Sequence, residues 1–97
     1  MIYTSEQREK DISKLLEEIK TLRLAKGHDY SADEDVFENL RDYGLLGIAV
    51  RLSDKVCRLK QLHQKGTLKV NDEKIEDTMK DVINYSLFYI IMLRNQK

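Results

Sequence analysis

The chain has 97 residues, one cysteine, no proline and four glycines, and its 17 basic residues are balanced by 17 acidic ones. Zero formal charge argues against a duplex nucleic-acid binder, which needs a broad basic face. A single cysteine, Cys57, excludes a disulfide framework and a cysteine-built zinc site within one chain. The length fits one domain spanning 1–97, with a small core that a partner chain would help to complete.

The start, Met1-Ile-Tyr-Thr-Ser-Glu6, lacks the basic and apolar regions of a signal peptide. The longest apolar run, 87–93, is far below the ~20 residues that cross a bilayer. A soluble, cytoplasmic protein with no membrane partner is expected.

Thr4 and Gln7 have capping-box spacing, and Ile12, Leu15, Leu16, Ile19 and Leu22 recur on one face. They predict a first helix over about 5–26, ended by Gly27. Lys26-Gly-His28-Asp29-Tyr30 is then a polar loop, and Ser31 with Glu34 caps a short helix to about 41 in which Val36, Phe37 and Leu40 are inward and Asn39 lies between them.

Tyr43-Gly44 breaks the pattern. Leu45, Ile48, Leu52, Val56 and Leu59 mark a third helix to about 65, with His63 on the same stripe and Arg51, Asp54, Lys55 and Arg58 together on its flank. Gly47, about 1 kcal/mol worse than alanine inside a helix, suggests the close approach of another backbone or a ligand. Residues 66–70 form a short connection, so the last helix must run antiparallel to the third. Asn71 is positioned to cap it, with Val70 and Ile75 as a hydrophobic staple.

In this last helix Ile75, Met79, Val82, Tyr89 and Leu93 form the expected inward stripe, with Asp77, Asp81 and Tyr85 beside it. Beyond Ser86 it is apolar nearly all round, which predicts a homo-oligomer formed through the C-terminal helix. The expected fold is all-α: a small antiparallel bundle of three long helices and one short one.

Asp77 and Asp81, four residues apart, are separated by about 6 Å along a helix axis. Two carboxylates that close repel unless a cation intervenes. Mg²⁺ between them, neutralisation by Arg51, Lys55 or Arg58, or simple exposure to water would each resolve the conflict. Arginine forks and lysine point charges beside acidic residues form a set suited to a Mg-nucleotide.

The pattern Lys26-Gly-x-Asp29-Tyr30, Phe37-x-Asn39, Gly47-Ile-x-x-Arg51-x-x-Asp54-Lys55-x-x-Arg58-Leu and Asp72-Glu73-x-x-x-Asp77-Thr-x-x-Asp81-x-x-Asn84-Tyr85 resembles the nucleotide-modification-associated domain 1 family, common in bacteriophages and bacteria. That family is in turn similar to the MazG-type all-α pyrophosphohydrolases, oligomeric Mg²⁺-dependent enzymes that cleave nucleoside triphosphates to a monophosphate and pyrophosphate. The resemblance implies that Asp54, Asp77 and Asp81 hold Mg²⁺ and that Arg51, Lys55 and Arg58 hold phosphates. Lys26, Tyr30, Asn39, Asn84 and Tyr85 would bind the rest of the nucleotide, with Asp54 or Glu73 positioning water. One departure stands out: MazG-type enzymes carry ExxE and ExxD pairs, where this chain has Arg51-x-x-Asp54 and Asp77-x-x-x-Asp81. An arginine in place of a carboxylate suits a non-catalytic nucleotide binder, phage-encoded or otherwise. A helical interaction module, with the charged groups as an internal salt-bridge network, is the third reading.

Overall fold

Three helices make up the described structure: α1 (Ser5–Tyr30), α2 (Gly44–Gln64) and α3 (Leu68–Arg94), with no strand among the described residues. The computed structural model describes residues 2–30, 43–64 and 68–95, with side chains over 2–25, 43–64 and 74–95. The short helix expected before residue 41 lies outside them. The chain divides into two compact units, Met1–Val36 and Phe37–Lys97.

In the first unit the capping box forms as its spacing predicts. The Thr4 amide donates to Gln7 Oε1 at 2.9 Å, the Gln7 amide donates to Thr4 Oγ1 at 3.1 Å, and the Arg8 amide donates to the Thr4 carbonyl at 3.0 Å. Two of the amides that a helix start leaves orphaned are thereby satisfied. The Tyr3 hydroxyl donates to Asp11, and that hydrogen bond raises the tyrosine pKa above 10.0. Of the expected stripe Ile19 is buried, Leu15 and Leu22 are half-buried, and Ile12 and Leu16 are exposed. Gly27 does not end α1, which continues to Tyr30, so the expected loop at 26–30 is helical instead. An interior glycine costs about 1 kcal/mol against alanine, and a helix of this length tolerates that.

The second unit contains a helical hairpin. Gly44 has φ +60°, a left-handed conformation that glycine adopts without strain, and α2 starts there. At Gly47 an added Cβ would lie 2.5 Å from Tyr43 Cβ, so the close approach expected at this glycine is made by a side chain of the preceding turn. At the far end, α3 begins at Leu68, which puts Val70 and Asn71 inside the helix and excludes Asn71 as its cap. Asn95 closes α3 by donating its amide to the Ile91 and Met92 carbonyls at 3.1 and 3.2 Å and its Nδ2 to Ile91 at 2.8 Å.

Two contacts set the hairpin register: Lys55 meets Asp81, and Arg51 meets Tyr85. A step of four back along α2 is matched by a step of four forward along α3, so the helices are antiparallel, as the short connection requires. Leu45, Ile48, Leu52, Lys55, Leu59 and Leu62 on α2, and Ile75, Thr78, Val82, Tyr85, Tyr89 and Met92 on α3, are buried or half-buried. Both series alternate steps of three and four, the heptad spacing of a left-handed helix pair.

This seam corrects the expected stripes. Met79, Leu93 and Val56 are 39%, 50% and 42% exposed and His63 is exposed, whereas Thr78 and Asn84 are buried. Val56, His63, Met79 and Leu93 each lie four residues beyond a seam residue at a place where the seam, advancing by 3.5 residues per turn, steps by three. The Thr78 hydroxyl tolerates burial because it donates to the Lys74 carbonyl at 2.8 Å, and Ser86 does the same to Val82. Among the described residues no helix is long and apolar enough to cross a membrane.

Candidate functional site

Helix α2 places Arg51, Asp54, Lys55 and Arg58 at successive offsets of three, one and three, which brings all four to one side. Tyr85 on α3 joins them, and the five residues line an open groove of about 290 Å³. Arg51 and Arg58 flank the half-buried Lys55, and Asp54 is the carboxylate in the lining.

The Arg51 guanidinium carbon sits 5.9 Å from the centre of the Tyr85 ring, within cation–π range. Phe88 meets the same tyrosine edge-on, with ring centres 6.2 Å apart and planes at 86°. Phe88 was absent from the sequence-derived site. Its signal was the aromatic pair Tyr85/Phe88 at a spacing of three, which shares a helix face. Arg51 and Phe88 together hold the Tyr85 ring at the groove wall.

Lys55 Nζ lies 3.0 Å from Asp81 Oδ2, with side chains 27% and 24% exposed. Of the three fates open to the Asp77/Asp81 pair, Asp81 takes neutralisation by a lysine of the neighbouring helix. Asp77 is exposed. The repulsion anticipated between them is relieved by this cation and by solvent.

Asp54 lies in the groove, Asp77 faces solvent and Asp81 is engaged by Lys55. Among the described residues no three His, Cys, Asp or Glu side chains are grouped closely enough to hold a metal ion. As a preformed Mg²⁺ cage, therefore, the three carboxylates do not fit.

The remaining expected site residues divide in two. Asn84 is buried on α3, where it is a packed polar residue with an interaction partner. Lys26 and Tyr30 belong to the end of α1, and Glu73 to the first turns of α3, but their side chains lie outside the described residues, as does all of Asn39. What the structure unites is the group Arg51, Asp54, Lys55, Arg58, Asp81 and Tyr85.

Comparison with curated proteins found no match, and comparison with solved structures found none. Residues 26–93 do match a family model, over a stretch that contains α2, all but the last residue of α3 and every residue of the groove. The chain thus belongs to the nucleotide modification associated domain 1 family.

Proposed function

We propose that the groove binds the phosphates of a nucleotide and that Tyr85 contacts its base or sugar. The observation that carries this reading is the convergence of Arg51, Lys55 and Arg58 on one open groove beside an aromatic ring. Two arginine forks and a lysine supply directional and point-charge contacts for phosphate oxygens. Aromatic rings accept any base by stacking, and Arg51 rigidifies the one at this wall. A volume near 290 Å³ lies at the small end of ligand pockets, enough for a polyphosphate and part of a nucleoside.

The test is a panel of ribo- and deoxynucleoside mono-, di- and triphosphates, added with Mg²⁺ and separately with EDTA. Calorimetry measures binding and chromatography follows the nucleotide. Binding that is lost in Arg58→Ala supports the reading. No binding by any nucleotide leaves the hairpin as an interaction module in which the charged residues set register.

A second reading, hydrolysis of a nucleoside triphosphate to monophosphate and pyrophosphate, is favoured by Asp54, a carboxylate among the phosphate-binding cations. Its role would be to orient the attacking water. Appearance of both products only with Mg²⁺, and their loss in Asp54→Asn, supports it; intact nucleotide with a stabilised protein supports binding alone.

We also propose that the hairpin associates with a second copy. Support comes from Leu87, Ile90, Ile91 and Leu93, all 40–50% exposed on the C-terminal half of α3. Sedimentation of the wild type and of Ile91→Glu tests it: a monomer in both overturns it. A reducing, cytoplasmic setting suits the exposed thiol of Cys57.

A further inference from the structure

The five residues that line the groove follow one another along it in a definite order. Tyr85 is level with Arg51, whose guanidinium carbon lies 5.9 Å from the ring centre. At about 1.5 Å of rise per residue, Asp54 stands about 4.5 Å, Lys55 about 6 Å and Arg58 about 10.5 Å further along α2 than Arg51. From one end to the other the groove therefore offers an aromatic ring with its arginine, then a carboxylate, then two cations. A nucleotide has the same order of parts: a planar base, a sugar with hydroxyl donors, and phosphates.

Asp54 is the lining residue that phosphate binding alone does not explain. An ionised carboxylate accepts hydrogen bonds and donates none, and it repels a phosphate nearby. Among the described residues no ion pair joins Asp54 to Arg51 or Arg58, although spacings of three and four on one helix permit it. Asp54 is exposed, so its oxygens are open to a ligand in the groove. We infer that Asp54 selects the sugar: it accepts hydrogen bonds from the ribose hydroxyls of a nucleotide whose base lies against Tyr85 and whose phosphates lie toward Lys55 and Arg58, so that the groove takes ribonucleotides in preference to deoxyribonucleotides.

The inference rests on the groove being a nucleotide site and names the class of nucleotide. The cis hydroxyls at C2′ and C3′ of ribose both donate, and the two oxygens of one carboxylate can accept from both. A 2′-deoxy sugar removes one of those donors while the repulsion between Asp54 and the phosphates remains. The same side chain thus opposes phosphate by itself and favours a ribose attached to it. A carboxylate that only orients water, or only faces solvent, has no such dependence on the sugar.

Calorimetry of the full chain in EDTA, at one fixed ionic strength, tests this. Adenosine and cytidine diphosphates, their 2′-deoxy forms and pyrophosphate are each titrated into the wild type, Asp54→Ala and Asp54→Asn. The expected wild-type result is that each ribonucleotide binds about fivefold tighter than its deoxy form, which is what one net hydrogen bond supplies. In Asp54→Ala that ratio falls to about one, and pyrophosphate binds about twofold or more tighter than to the wild type. Asp54→Asn keeps an acceptor without the charge, so it retains part of the sugar preference and also binds pyrophosphate tighter. Equal binding of the ribo and deoxy forms by the wild type, or a preference undiminished in Asp54→Ala, overturns the inference and leaves the nucleotide site standing. Failure of every nucleotide and of pyrophosphate to bind the wild type overturns the site and the inference together. Circular dichroism establishes folding of both variants, each of which replaces an exposed side chain.

Discussion

Ile48 carries an unusual share of the hairpin's packing, because it is fully buried while most apolar side chains of α2 and α3 remain partly exposed. Ile48→Ala removes Cγ1, Cγ2 and Cδ1. At about 0.8 kcal/mol per buried carbon the lost transfer energy is about 2.4 kcal/mol. The void left between two helices adds to it, for a total of about 3–4 kcal/mol, within the usual range for such truncations. Ile48→Val removes one carbon and is expected to cost about 1 kcal/mol. Val50, 53% exposed on the same helix, provides the contrast: Val50→Ala is expected to change stability by no more than about 0.5 kcal/mol. Urea denaturation by circular dichroism, fitted for midpoint and slope, gives all three values. Repeating it at two protein concentrations separates loss of the core from loss of self-association, since only the latter moves the midpoint with concentration. A cost below about 1 kcal/mol for Ile48→Ala, or equal costs for the alanine and valine variants, refutes the reasoning.

Gly47→Ala brings a gain of about 1 kcal/mol in helix propensity against an overlap of Cβ atoms at the root of Tyr43, where no rotamer change relieves it. The overlap is expected to win and lower the melting temperature; a rise would show that the turn at Tyr43 moves aside freely. Tyr85→Leu is expected to weaken nucleotide binding about tenfold, the lower part of the range for loss of one stacked base, while pyrophosphate binding changes little. Equal losses for both ligands would place the ring's role in supporting Arg51 alone. Tyr3 is expected to titrate above 10.0 because Asp11 accepts its proton in a hydrogen bond. A raised folded-state pKa means that the stabilisation is fully present below the unfolded tyrosine value and is lost as pH rises through the folded one. The ultraviolet difference between wild type and Tyr3→Phe titrations reads that pKa, and Asp11→Ala should return it toward 10.0.

The capping box at Thr4 and Gln7, the helix over Gly44–Gln64 and the antiparallel return were all legible in the sequence, because each depends on residues within a turn or a short connection. Helix ends were less so. Gly27 and Asn71 have the residue types of a stop and a start, yet both lie within helices, since a local preference of about 1 kcal/mol yields to propagation. The basic face Arg51, Lys55 and Arg58 was likewise visible, because residues three and four apart share a side of any helix.

Which residues of α3 meet that face depended on the register of two helices, a property no local pattern contains. A rotation of one residue exchanges Met79 for Thr78 at the seam, and the chain buries the smaller hydroxyl because its own helix carbonyl satisfies it. The resemblance carried by the pattern from Lys26 to Tyr85 named the same family as the match over 26–93. By contrast, which of the basic residues of α2 reaches Asp81 was decided in three dimensions, where Lys55 does so. Sequence spacing determines which charges share a helix face, whereas the facing helix determines which opposite charge reaches them, and electrostatic energy depends on that distance.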